Sequence, residues 1–130
     1  MLKKNVLRKK SDFSSIYNKG KSVGDRFIVL FYRKNNLSYN RTGFLASKKV
    51  GNSVVRHRLT RLIRESYRLN EKKFDDGLDL VIIARPGAKE RNFFEIESAL
   101  LHLCSLHGIM KKADGKEVEK EDEESNDLSD

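Results

Sequence analysis

Between Lys48 and Arg68 the chain reads KKVGNSVVRHRLTRLIRESYR, and most of its chemistry is concentrated there. Gly51-Asn52 is turn chemistry. Asn52 or Ser53 can cap a following helix, because a short polar side chain accepts a bond from one of the first free backbone N–H groups. Wound as a helix, Val55, Leu59, Leu62, Ile63 and Ser66 fall within about 100° of arc and form a core-facing stripe. His57, Arg61, Arg64 and Arg68 lie opposite, within about 60° of one another. Arg56 and Arg58 flank the stripe, one on each side, while Val54 falls on the polar side. Arginines at this spacing repel one another by a few tenths of a kcal/mol per pair, and only Glu65 offsets them. A solvated face would account for one or two arginines, but less well for five preceded by Lys48 and Lys49. Arginine also forks onto phosphate through two parallel bonds and stacks on bases, where lysine acts as a point charge. The stretch is predicted to be a polyanion-binding helix, for RNA or DNA.

No catalytic constellation accompanies it. His102 and His107 are five apart, about 140° around a helix axis, and cannot share a ligand set from one face. His57 is a general base only in principle, with no residue to orient it. Asp75, Asp76 and Asp79 are close in sequence, but carboxylates around a turn are usually solvated. No HExxH, P-loop or GxSxG run occurs. The expectation is therefore no catalytic residue and no metal ligand. A protein-only nuclease would need carboxylates that are not here.

The chain that must position this helix has 130 residues, enough for one domain. Its net charge of +8 hides a split. Residues 111–130 hold four lysines against nine acids, net −5, and residues 1–110 hold 23 basic against 10 acidic residues, net +13. Such a concentration of charge is an electrostatic footprint for nucleic acid. The single cysteine, Cys104, permits no intrachain disulfide and sits on an apolar helix face, as a core thiol would. No apolar run approaches a membrane span, and Met1-Leu2-Lys3-Lys4 lacks the apolar stretch of a secretory signal. These features predict a cytoplasmic protein in a reducing compartment, with no membrane partner.

The elements follow in order. Residues 2–10 form a basic arm. Ser11 is a candidate cap for a short helix to about Lys19, with Gly20 as a left-handed stop. Phe13 and Tyr17, four apart, share a face of that helix, and Ile16 belongs to the core. Val23 begins a short edge piece bending at Gly24-Asp25. Phe27 to Tyr32 is an apolar run expected as a central strand covered on both faces. After a turn at residues 35–40, Thr42 to Ser47 returns as a strand antiparallel to it by a hairpin connection. The arginine helix follows, then a polar loop from Leu69 to Gly77. Leu78 to Ala84 is the clearest strand and should pair parallel with 42–47, since a helix bridges them. Asn92 with Glu95 predicts a capping box. The last helix then carries Phe93, Ile96, Leu100, Leu103 and Cys104 as its stripe and stops at Gly108. The segment from Lys111 on has no aromatic residue and is expected to be disordered, as a solubilising tail. The result is a two-layer α+β sandwich in the order α-β-β-β-α-β-α, with domain 1–110 and tail 111–130.

The run SKKVGNSVVRHRLTRLIRE resembles the signature of the bacterial ribonuclease P protein component, and the resemblance extends over roughly Leu2 to His107. That family carries an Arg-Asn-Arg core after a Lys-Lys-apolar-Gly-Asn lead. Here the core is Arg56-His57-Arg58, and Thr60 stands where many members have lysine. The resemblance implies the fold of the second domain of a small-subunit ribosomal protein, with a left-handed βαβ crossover that the usual handedness rule would not give. It implies a subunit of an endoribonuclease that removes the 5′ leader of precursor tRNA, with catalysis by the RNA subunit. It implies Mg²⁺ bound mainly by that RNA and the substrate, and one protein per RNA subunit. Lys48, Lys49, Asn52, Arg56, His57, Arg58, Arg61, Arg64 and Arg68 would contact RNA. Phe13 and Tyr17, with Phe31 from the sheet, would line a cleft for the single-stranded leader, since any base can stack on an aromatic ring. From the residues alone, Phe13 and Tyr17 fit a core stripe as well as a stacking surface. A stand-alone RNA-binding protein of ribosomal type is the alternative.

Overall fold

A computed structural model describes residues 5–111. Met1–Lys4 and the acidic segment after Lys111 lie outside the described residues, and so does the expectation of a disordered tail. The elements are α1 (Lys10–Lys19), β1 (Lys21–Gly24), β2 (Ile28–Lys34), β3 (Arg41–Ala46), α2 (Ser53–Asn70), β4 (Leu78–Ala84) and α3 (Phe93–Leu106). Short 3-10 turns stand at Lys48–Val50, Glu71–Lys73 and Pro86–Ala88. The order matches the α-β-β-β-α-β-α expectation.

The four strands form one sheet in the order β1-β2-β4-β3. β1 is the short edge piece, antiparallel to β2. β3 and β4 are parallel, as a helical bridge requires. The hairpin between β2 and β3 does not form. β4 inserts between them, antiparallel to β2. The physical reason is apolar demand. β4 is buried along nearly its whole length, whereas Leu45 of β3 is 39% exposed and suits an edge. The 35–40 connection crosses the end of β4 instead of turning tightly. Asn40 fastens it, donating to Asp75 O at 2.9 Å and accepting from Leu78 N at 2.8 Å.

One face of the sheet presents Ile28, Leu30, Tyr32, Leu80, Ile82 and Ala84 to α2 and α3, and these residues make the main core with Leu59, Ile63, Tyr67, Ile96, Leu100 and Cys104. Fully burying one such aliphatic side chain stabilises by about 1.5–3 kcal/mol. The enclosure pushes the Cys104 thiol up to about 12, so it stays protonated as a core thiol. On the other face α1 covers only part of the sheet, where Leu7, Ile16 and Val81 are buried together. β2 is therefore fully covered on one face and only half-covered on the other.

Several local expectations hold. Asn52 caps α2 by accepting from Val55 N at 3.0 Å, and Asn92 with Glu95 completes a capping box on α3. Gly108 takes φ +71 just past α3. Two differ. The cap position of α1 is Lys9, with no side-chain bond, and not Ser11. Gly20 is extended, not left-handed. Its missing Cβ is what matters: one would lie 2.6 Å from Ile16 O and 2.7 Å from Tyr32 O, so the turn into β1 closes only on glycine. The loop after α2 is also less polar than expected. Phe74 is fully buried against Tyr67, ring centroids 4.9 Å apart. The buried Asn70 joins α2 to α3 by donating to Glu97 at 2.8 Å.

Candidate nucleic-acid interface

α2 presents its predicted stripe to the core, with Leu59, Ile63 and Ser66 buried and Val55 and Leu62 half-buried. The opposite face leaves His57, Arg58, Arg61, Arg64 and Arg68 exposed, and Lys48 and Lys49 are exposed on the turn ahead of it. These cations differ in how free they are. Arg58 donates to Lys89 O at 3.2 Å and Arg91 O at 2.8 Å, so it clips α2 to the loop before α3. Arg68 pairs with Glu65 at 2.5 Å, which holds the Glu65 carboxyl below its ordinary range. The Arg64 guanidinium sits 5.8 Å over the Phe44 ring. Arg56 is half-buried, and its Nε is enclosed with no hydrogen-bond partner among the described residues. Asn52 spends its carbonyl oxygen on the cap. His57, Arg58 and Arg61, with Val54, Leu62 and Phe93, line an open groove of about 510 Å³ between α2 and α3.

The predicted aromatic residues lie on the half-covered sheet face. Strand register sets its residues in rows. Arg33, Asp79 and Arg41 make the first row, Phe31, Val81 and Gly43 the second, and Val29, Ile83 and Leu45 the third. α1 lies over the first two. Tyr17 meets Phe31 edge-on at 4.9 Å between centroids, and Phe13 lies 6.4 Å from Tyr17. The three predicted aromatics are therefore contiguous. Phe13 seats its ring on Gly43, where an added Cβ would be 2.9 Å from the ring. Tyr17 is 40% exposed, and partial burial raises its phenol above the ordinary value, so the ring presents no charge. The third row, half-buried or exposed, continues the apolar floor towards Ser47 and the Lys48 turn.

The first row is the structural find. Asp79 is fully buried. It accepts from Arg41 Nε and Nη2 at 2.8 Å each, from Arg33 Nε at 3.1 Å and from Asn35 Nδ2 at 2.9 Å. Arg41 also approaches Asp12 at 3.7 Å, and Arg33 donates to Ser15, so both arginines hold α1 over the sheet. Desolvation pushes the Asp79 pKa up, but bonds from Arg41, Asn35 and Arg33 more than offset it, leaving the carboxyl below its ordinary value. The solvated turn carboxylate expected at Asp79 is thus corrected: tertiary structure pairs it with two arginines far away in the chain. Asp75 and Asp76 do not join it; Asp76 lies 3.9 Å from Lys111. Sequence reading missed Gly43, Val29, Ile83 and Leu45 as neighbours of the predicted aromatics on this face. Their signal is strand alternation, which selects a common face only once the register is known.

The family described as Ribonuclease P matches residues 1–107. A ribonuclease P protein component of Lachnoclostridium phytofermentans is 52% identical over 108 residues, covering 83% of this chain and 93% of that one. One from Alkaliphilus metalliredigens is 54% identical over 103 residues, covering 79% and 93%. The solved Staphylococcus aureus RNase P protein superposes with a TM-score of 0.75 at 31% identity, covering 82% of this chain and 98% of that one. Among the described residues no helix is long and apolar enough to cross a membrane.

Proposed function

The chain belongs to the family of ribonuclease P protein components, and on that premise we propose that it binds both the RNA subunit and the 5′ leader of precursor tRNA. Membership makes it a component of an endoribonuclease with an RNA partner. The observation that carries the finer reading is the contiguous Phe13-Tyr17-Phe31 surface on the open sheet face. Its apolar floor runs through Leu45 to within three residues of Lys48. Leader bases stack on the rings, at about 1–3 kcal/mol each. Lys48, Lys49 and the free arginines of α2 neutralise phosphates of the RNA subunit and substrate, lowering the repulsion between two polyanions.

The RNA subunit performs the hydrolysis and, with the substrate, holds the Mg²⁺. Asp79, the buried carboxylate, does not suit that ion, because it is committed to two arginines and an asparagine. One protein serves each RNA subunit, in the cytoplasm. The direct test is cleavage of a precursor tRNA at low Mg²⁺ and moderate salt by protein alone, by a bacterial ribonuclease P RNA alone, and by both. Cleavage at the mature 5′ end only in the mixture supports the reading. Cleavage by protein alone, or no gain in the mixture, overturns it.

The phosphate contribution is separable. If about six phosphates are neutralised, log K falls against log salt with a slope near −4 to −5. Arg64→Ala is expected to flatten that slope by about one unit. Arg64 is the suitable probe because it is exposed, whereas Arg58 also holds the loop at Lys89 and Arg91. An unchanged slope, measured by titrating labelled RNA across salt concentrations, removes Arg64 from the phosphate contacts.

A further inference from the structure

The proposed function leaves the acidic segment unused. From Glu117 to Glu124, six of eight residues are acidic. The structure shows where this segment departs. Lys111, the last described residue, donates its backbone N–H to Lys73 O at 2.7 Å. Just before it, Met110 bridges to Phe74, and Asp75 N donates to Ile109 O at 2.9 Å. Lys73 is three residues beyond the end of α2 at Asn70. The chain is therefore released at the C-terminal end of the arginine helix, whose exposed face carries Arg61, Arg64 and Arg68.

Reach and charge fit this geometry. Residues 112–116 span up to about 17 Å when extended, and Arg61 to Arg68 covers about 10 Å of a helix. Carboxylates match the guanidinium fork. A short tether holds them at an effective concentration in the millimolar range. We propose that residues 117–124 dock on the Arg61–Arg68 face of α2 as an internal polyanion that RNA must displace. This rests on α2 being an RNA-binding face. Its consequence is selectivity: a long phosphate chain displaces the segment, and a sparse or short anion does not. A second cationic surface lies near the exit, a groove of about 450 Å³ with Lys19, Lys21 and Lys34 in its lining. The helix is favoured over it because those lysines are point charges, and the groove's Arg33 is bonded to the fully buried Asp79, whereas the Arg68–Glu65 pair on the helix is exposed and weak.

The experiment compares the full chain with a full-length variant in which the six carboxylates between 117 and 124 become amides. Backbone amide spectra are recorded without RNA at low and high salt, and binding of labelled precursor tRNA is titrated under the same conditions. Docking predicts that the amides of residues 61–68 differ between the two chains at low salt and converge at high salt, where exposed charges are screened. It predicts that the neutralised chain binds precursor tRNA about three- to tenfold tighter at low salt, a coupling typical of a few exposed ion pairs. Superimposable α2 spectra overturn the docking even if affinity rises, because added net charge alone would raise it. Differences confined to Lys19–Lys34 also overturn it, placing the segment in the lysine groove. If neither chain binds precursor tRNA, the proposed function falls and the competition with it. Equal binding with superimposable spectra removes the docking alone and leaves the function standing.

Discussion

Asp79→Ala is expected to remove a large share of the stability of the fold. The substitution deletes a fully buried carboxylate that accepts four hydrogen bonds, three of them from Arg33 and Arg41. Removing one partner of a buried ion pair costs about 3–5 kcal/mol, because the other charge stays enclosed and unpaired. A domain of this kind has about 5–15 kcal/mol in total. Both arginines also hold α1, through Ser15 and Asp12, so the loss spreads to the layer that carries Phe13 and Tyr17. Denaturant unfolding monitored by circular dichroism tests this. A midpoint within error of the parent chain would show that Asp79 does not support the fold.

The same group gives a pH dependence with a definite sign. The folded Asp79 pKa is depressed below its ordinary 3.8. Its stabilisation is therefore fully present above the unfolded pKa and is lost as pH falls through the folded one. Acid unfolding of the parent chain should steepen below about pH 4, and the residual folded fraction of Asp79→Ala should lack that component.

Tyr17→Ala is expected to weaken binding of leader-bearing precursor tRNA by about 5- to 150-fold, the equivalent of one lost base stack at about 1–3 kcal/mol. Leaderless tRNA should bind as before, and the salt slope should not move, since no charge is removed. Tyr17→Phe should restore affinity, because the ring and not the hydroxyl does the stacking. Tyr17 is the better probe than Phe13. Phe13 seats on Gly43 and packs beside Leu7, Ile16 and Val81, so its truncation would mix stability with binding. Equal losses on leader-bearing and leaderless substrates would remove Tyr17 from the cleft.

Much of this protein was legible before its fold was known, wherever the information is local. The α2 stripe, the Asn52 cap and the Asn92-Glu95 box depend on residues within one or two helical turns, and a 3.6-residue period exposes them directly. Phe13 and Tyr17 share a face for the same reason, and Phe31 joined them only through a family resemblance. What the sequence could not state is which strands are neighbours. The connection after β2 looked like a hairpin because local turn chemistry says nothing about a third strand arriving 38 residues later to occupy the gap. That insertion places Val81 and Ile83 beside Phe31, Gly43 and Leu45, and so makes one continuous apolar sheet face. It also sets Arg33 and Arg41 on either side of Asp79. A carboxylate beside a turn belongs in water on local grounds. Only tertiary structure, by bringing two guanidinium groups and an amide to it from separate parts of the chain, makes its burial favourable.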